Sequence, residues 1–75
     1  MKECYNLKEY FLDELQYRGI AATFFLLNGF QLKGVLLHYD GEVLVVQSGD
    51  KRQMVFQQAI STIAPRELLE FPSEY

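Results

Sequence analysis

The sequence predicts a mainly β domain: one N-terminal helix followed by five short strands, folded into a strongly bent antiparallel barrel. Three observations predict it. Apolar residues recur at helical spacing only between residues 6 and 18. After Gly19 the chain changes to short runs rich in strand-forming residues. Tight-turn sequences separate these runs: Asn28-Gly29, Asp40-Gly41 and Ser48-Gly49-Asp50-Lys51. A sheet of short, highly bent strands tends to close into a small barrel.

The helix is expected over residues 6 to 18. Asn6 is a good N-cap, and Glu9 three residues later completes a capping box. Leu7, Tyr10, Phe11 and Leu15 form the apolar stripe, Asp13, Glu14, Gln16 and Arg18 face outward, and Gly19 stops the helix. Residues 20 to 27 form the first strand, and Asn28-Gly29 supplies the two positions that must tolerate positive φ in a hairpin. Phe30 to Tyr39 returns. Its apolar phase slips near Gly34, which reads as a sharp bend. Val43 to Val46 is a nearly continuous apolar run, expected to be covered on both faces. Arg52 to Gln57 alternates, with Met54 and Phe56 on one face and Gln53, Val55 and Gln57 on the other. Ala59 to Ala64 is the last strand, stopped by Pro65. This divides the chain into a flexible arm (1–5), a domain (6–65) and a short acidic tail (66–75).

A chain of 75 residues makes one domain. At this size, folding buries only roughly 60% of the unfolded chain's surface, and small cores usually need a staple. Cys4 is the only cysteine, so a disulfide framework is excluded. Cys4 and His38 are the only soft ligands, too few for a structural zinc site. Oligomerisation is the staple left, beside a compact monomer. The charged start Met1-Lys2-Glu3-Cys4 lacks the apolar run of a signal peptide, and no stretch approaches the roughly 20 apolar residues of a membrane span. A cytoplasmic protein is expected. The net charge of −3 argues against a grip on nucleic acid mainly through phosphates, while leaving base stacking open.

Catalytic patterns are absent: there is no Gly-rich phosphate loop and no Ser-His-Asp set. No enzyme activity, cofactor or metal is expected. His38 lies in a strand, Asp40 before Gly41 reads as a turn former, Glu9 is explained by capping, and Cys4 sits in the terminal arm. The aromatic hairpin is less easily explained. Adjacent Phe24 and Phe25 must face opposite ways. The outward one either packs against a neighbour or stacks on a base.

The segment FFLLNGFQLKG, Phe24 to Gly34, resembles the first Sm motif of the Hfq family, the bacterial Sm-like RNA chaperones, in the form found in Gram-positive bacteria. AISTIAP, Ala59 to Pro65, is similar to the second Sm motif, and NLKEYFLDEL, Asn6 to Leu15, resembles the family's N-terminal helix. The resemblance implies an Sm-like (SH3-like) fold closed into a homohexamer, the fourth strand of one subunit pairing with the fifth of the next. It implies binding of single-stranded RNA (small regulatory RNA and mRNA) in post-transcriptional regulation and the stress response. The implied distal face, for A-rich RNA, is Phe25, Leu26, Asn28, Gly29, Phe30, Gln31, Leu32 and Lys33, with Gln53 and Thr62 reading an adenine edge.

The implied proximal face, for U-rich RNA, is degenerate: Lys8, Gly41, Glu42, Phe56, Gln57 and Gln58. Phe56, Gln57 and Gln58 stand where the family has Tyr-Lys-His, Lys8 stands at its glutamine, and Gly41 and Glu42 replace its aromatic stacker. Loss of the lysine charge and of the imidazole implies weak or altered U-rich binding. The rim reduces to Arg18, with Tyr39. A second reading is an Sm-like ring with reduced or lost RNA binding that acts through protein partners or a paralogue.

Overall fold

A computed structural model describes residues 6–69 of the chain. The expected arm at residues 1–5 and the end of the expected tail, residues 70–75, lie outside the described residues. Helix α1 (Leu7–Arg18) is followed by β1 (Ala21–Leu26), β2 (Gln31–Tyr39), β3 (Val43–Ser48) and β4 (Lys51–Phe56). A single 3-10 turn (Gln57–Ala59) leads into β5 (Ile60–Pro65). One antiparallel sheet takes the order β4-β3-β2-β1-β5. One helix and five antiparallel strands are therefore present as expected. β4 and β5 are the edges of the sheet and are left with unpaired outer sides within the described chain.

Local chemistry sets the helix ends. Asn6 Oδ1 accepts the Glu9 N–H at 3.2 Å. Gly19 takes φ 63°, donates its N–H to Gln16 O at 3.3 Å, and is followed by a bond from Ile20 N–H to Leu15 O at 3.1 Å. This pair of bonds satisfies carbonyls that a helix end leaves orphaned, and glycine reaches that φ without a Cβ clash. The buried face differs from the expected stripe. Leu12 and Leu15 are buried and Phe11 packs against the core, whereas Leu7 stays 52% exposed. Phe11, Leu12 and Leu15 sit at i, i+1 and i+4, the narrow face that meets the sheet.

The core joins these helix residues to Ile20, Ala22, Phe24, Leu36, Leu44 and Val46, all at most 3% exposed. β3 alternates rather than being covered on both faces: Leu44 and Val46 are fully buried, while Val43 and Val45 are half-buried. The phase slip in β2 lies further along than expected. The β2–β3 register shifts between Leu36 and His38, so Leu37 is the extra residue. Gly34 has a different role. A Cβ there would stand 2.2 Å from Gln47 O, so glycine lets two backbones approach. The chain also continues to pack beyond Pro65: Arg66 N–H donates to Ala21 O at 2.8 Å, and Leu69 is buried against the core.

Candidate nucleic-acid interface

Strands β1 to β4 are consecutive antiparallel neighbours, so the β1–β2 and β3–β4 turns lie at the same end of the sheet. The first of these turns is closed by its own residues. Asn28 Oδ1 accepts the Phe30 N–H at 3.0 Å, Gly29 takes φ 95° and donates to Leu26 O at 3.0 Å, and Leu26 N–H donates to Phe30 O at 2.9 Å. Phe30 is held outward on this turn, 71% exposed. It heads an open groove lined by Leu26, Gln31, Leu32, Gln53, Met54, Val55, Phe56 and Ala59.

Five of the expected distal residues therefore share one surface: Leu26, Phe30, Gln31, Leu32 and Gln53. Asn28 and Gly29 build the turn that presents it. Phe25 and Thr62 do not line this groove; they are register partners on β1 and β5. Ser61, which the sequence reading missed, donates its hydroxyl to Phe25 O at 3.2 Å. Phe56, which the resemblance sets in the proximal face, lines the groove with Phe30, and Met54 joins it from the same face of β4. The Met54/Phe56 alternation was the signal that could have found this.

A second cluster forms where the helix start meets the β2–β3 turn. Asp40 Oδ1 accepts the N–H groups of Glu42 at 2.8 Å and Val43 at 3.0 Å. These two donors hold the Asp40 carboxyl below the usual carboxylate range. Gln57 N–H donates to Glu42 O at 2.8 Å, and its side-chain amide donates to Asp40 O. The amide oxygen of Gln57 in turn accepts from Lys8 Nζ at 3.0 Å. An ammonium from the helix therefore stands beside Gln57. Lys8 and Gln57 border a cavity of about 250 Å³, otherwise lined by Phe11, Leu12, Leu44, Ile60, Ser61, Thr62 and Ile63. Thr62 belongs to this lining. Gly41, Glu42 and Gln58 are exposed nearby in sequence and do not line it.

The two rim residues are engaged within the chain. Arg18 lies 3.6 Å from Glu14 and 3.5 Å from Glu67. Tyr39 donates its hydroxyl to Asp13 Oδ1 at 2.6 Å, with Glu9 O at a longer 3.4 Å, and so ties β2 to the helix. The bond to Asp13, helped by desolvation and by the charges of Asp13 and Glu9, pushes the Tyr39 phenol up to about 12. An unfolded chain loses that proton near pH 10. The bond's contribution is therefore complete below about pH 10 and is lost as pH rises toward 12. Tyr39→Phe is expected to lower the melting temperature slightly near pH 8 and to flatten its decline above pH 10. Parallel wild-type and Y39F curves across that range would contradict this.

Residues 7–70 match the family model described as Hfq protein. The chain belongs to the Hfq family. Curated relatives include RNA-binding protein Hfq of Geobacillus kaustophilus, 39% identical over 74 residues and covering 99% of both chains. RNA-binding protein Hfq of Alkaliphilus oremlandii is 41% identical over 71 residues, covering 95% of this chain and 89% of that one. A crystal structure described as the pleiotropic translational regulator Hfq superposes with a TM-score of 0.77 at 36% identity, over 79% of this chain and 98% of that one. The helix and five antiparallel strands are thus the Sm-like fold of Hfq, in agreement with the sequence resemblance.

Proposed function

We propose that this chain is a ring-forming RNA-binding protein of the RNA-chaperone kind, acting in the cytoplasm in post-transcriptional regulation and the stress response. Its partners are small regulatory RNAs and messages, and it holds A-rich single-stranded RNA on its distal surface. The observation that carries the reading is Phe30, 71% exposed on a turn that fixes it at the head of the groove. An exposed aromatic ring beside aliphatic walls suits a base, and such stacking contributes roughly 1–3 kcal/mol per base. Gln53 in the same groove supplies an amide that matches the donor and acceptor edge of adenine.

The ring is a hexamer closed by pairing β4 of one copy with β5 of the next, which hides both open edges. U-rich RNA binds the proximal surface weakly. Lys8 keeps a cation there, but no aromatic ring stands at Gly41 or Glu42 to stack a base, and Glu42 adds a carboxylate.

Fluorescence anisotropy with short oligo-A and oligo-U tests this. The chain is expected to bind oligo-A more tightly than oligo-U, and Phe30→Ala to weaken oligo-A binding about tenfold or more. Absence of binding to either oligonucleotide at low salt would sink the reading. The second reading, a ring that acts through protein partners or a paralogue, is favoured by the rim, where Arg18 already faces two carboxylates.

A further inference from the structure

The net charge of −3 conceals a separation of charge. Among the described residues, the acids Glu9, Asp13, Glu14, Asp40, Glu42 and Glu67 lie on the helix, in the β2–β3 turn or beyond β5. Asp50 is the one acid at the other end of the β1–β4 meander. Three of the six described cations gather there: Lys33, Lys51 and Arg52. All three are exposed, and none forms an ion pair among the described residues.

The register places these cations against the Phe30 groove. Lys51 lies two residues before groove-lining Gln53 on β4, on the same face of that strand. Arg52 lies on the opposite face of β4, the one that carries groove-lining Met54 and Phe56. Its Nε–H donates to Gln47 Oε1 at 3.0 Å, while Gln47 Nε2 donates to Gly49 O at 2.9 Å, so the guanidinium is braced against the β3–β4 turn. Arg52 pairs with Gln47, which pairs with Val35, two residues along β2 from Lys33. Arg52 and Lys33 therefore share a face, offset by two strand spacings of about 4.8 Å each across the sheet and by two residues, about 7 Å, along it.

We propose that Lys51 and Arg52 form a phosphate-binding margin that extends the Phe30 groove outward along β4 to the β3–β4 turn. Its occupant is the sugar-phosphate backbone of a single-stranded RNA whose bases sit in that groove. The inference rests on the proposed function and deepens it. Charge complementarity selects the occupant: unpaired cations at the acid-poor end of an acidic chain attract a polyanion to that end and repel it from the other. Base stacking alone is sequence-tolerant and nearly salt-independent, whereas each phosphate contact adds a salt dependence of about 0.7 in the log–log slope for single strands.

The test measures oligo-A binding by the full-length protein across a salt series. The variants are Lys51→Gln, Arg52→Gln and, as a charge-matched control, Arg66→Gln, each checked for unchanged particle size by light scattering. Arg66 follows β5 and bonds through its backbone to Ala21, at the start of β1 and away from the Phe30 turn. K51Q and R52Q are expected to weaken binding and to flatten the slope by about 0.7 for each subunit whose side chain meets a phosphate. R66Q is expected to change neither. If all three variants shift binding equally, the effect is one of net charge and the margin is refuted. If K51Q and R52Q retain the wild-type slope while Phe30→Ala still abolishes binding, the margin is refuted and the groove stands. If wild type binds no oligo-A, both fall.

Discussion

Gly34→Ala is expected to destabilise the domain by about 3 kcal/mol or more, and Gly34 is the one glycine where an added Cβ meets other atoms within 4 Å. The new Cβ would stand 2.2 Å from Gln47 O, 2.9 Å from Gln47 C and 3.0 Å from Val46 Cγ1. The two closest atoms are backbone, so no side-chain rotation relieves the clash. β2 and β3 must separate in the middle of the sheet, and Val46, fully buried, must move with them. Overpacking a core typically costs about 1–3 kcal/mol, and disturbed pairing of central strands adds to it. Circular dichroism melts of G34A and wild type check this. A melting temperature within two or three degrees of wild type would show that the sheet opens at little cost.

Phe24→Ala is expected to be comparably severe, for the opposite reason. Phe24 is completely buried, with Leu32 and Ile63 as its register partners on the two flanking strands. Deleting a buried ring removes its transfer free energy and leaves a cavity, together about 3–5 kcal/mol. A chain of this length has roughly 4–11 kcal/mol in hand. The isolated subunit is thereby brought near its unfolding threshold, and in the proposed ring assembly becomes necessary to hold the fold. The F24A melting temperature is therefore expected to rise with protein concentration more steeply than that of wild type. A concentration-independent melt close to wild type would contradict both the cavity cost and the coupling to assembly.

Local signals were legible from the sequence and long-range ones were not. Asn6, Gly19, Asn28-Gly29 and Asp40 act on groups within four or five residues of themselves, and each makes the bond or turn that its chemistry implies. The errors all involve distant segments. Glycine is a visible breaker and the apolar phase changes near Gly34, yet the bulge falls at Leu37, where pairing with β3 sets the count. Gly34 was conspicuous for another reason, the proximity of Gln47, which no local pattern records. Leu69 was assigned to a tail, although a single leucine with a core to reach suffices to bury it.

The candidate site divides in the same way. The Phe30 turn is local, and Leu26, Gln31 and Leu32 follow from it. Phe56 and its neighbour in sequence part company: Gln57 turns toward Asp40 and Lys8, while Phe56 turns toward the groove. The meeting of Lys8 with Gln57, 49 positions apart, shows only in three dimensions.

The sheet's two open edges are unlike: β4 presents one sequence and β5 another. In the proposed ring, a β4-to-β5 contact joins two different surfaces, so each copy repeats its neighbour's orientation instead of facing it across a twofold axis. The product is a coin with a head and a tail. In the proposed ring every Phe30 would stand on that head, and every Lys8–Gln57 pair would hold the same place on its own copy. An RNA that meets such a coin is offered the same arrangement at every step around one side, so which way up it lies decides which chemistry the strand encounters.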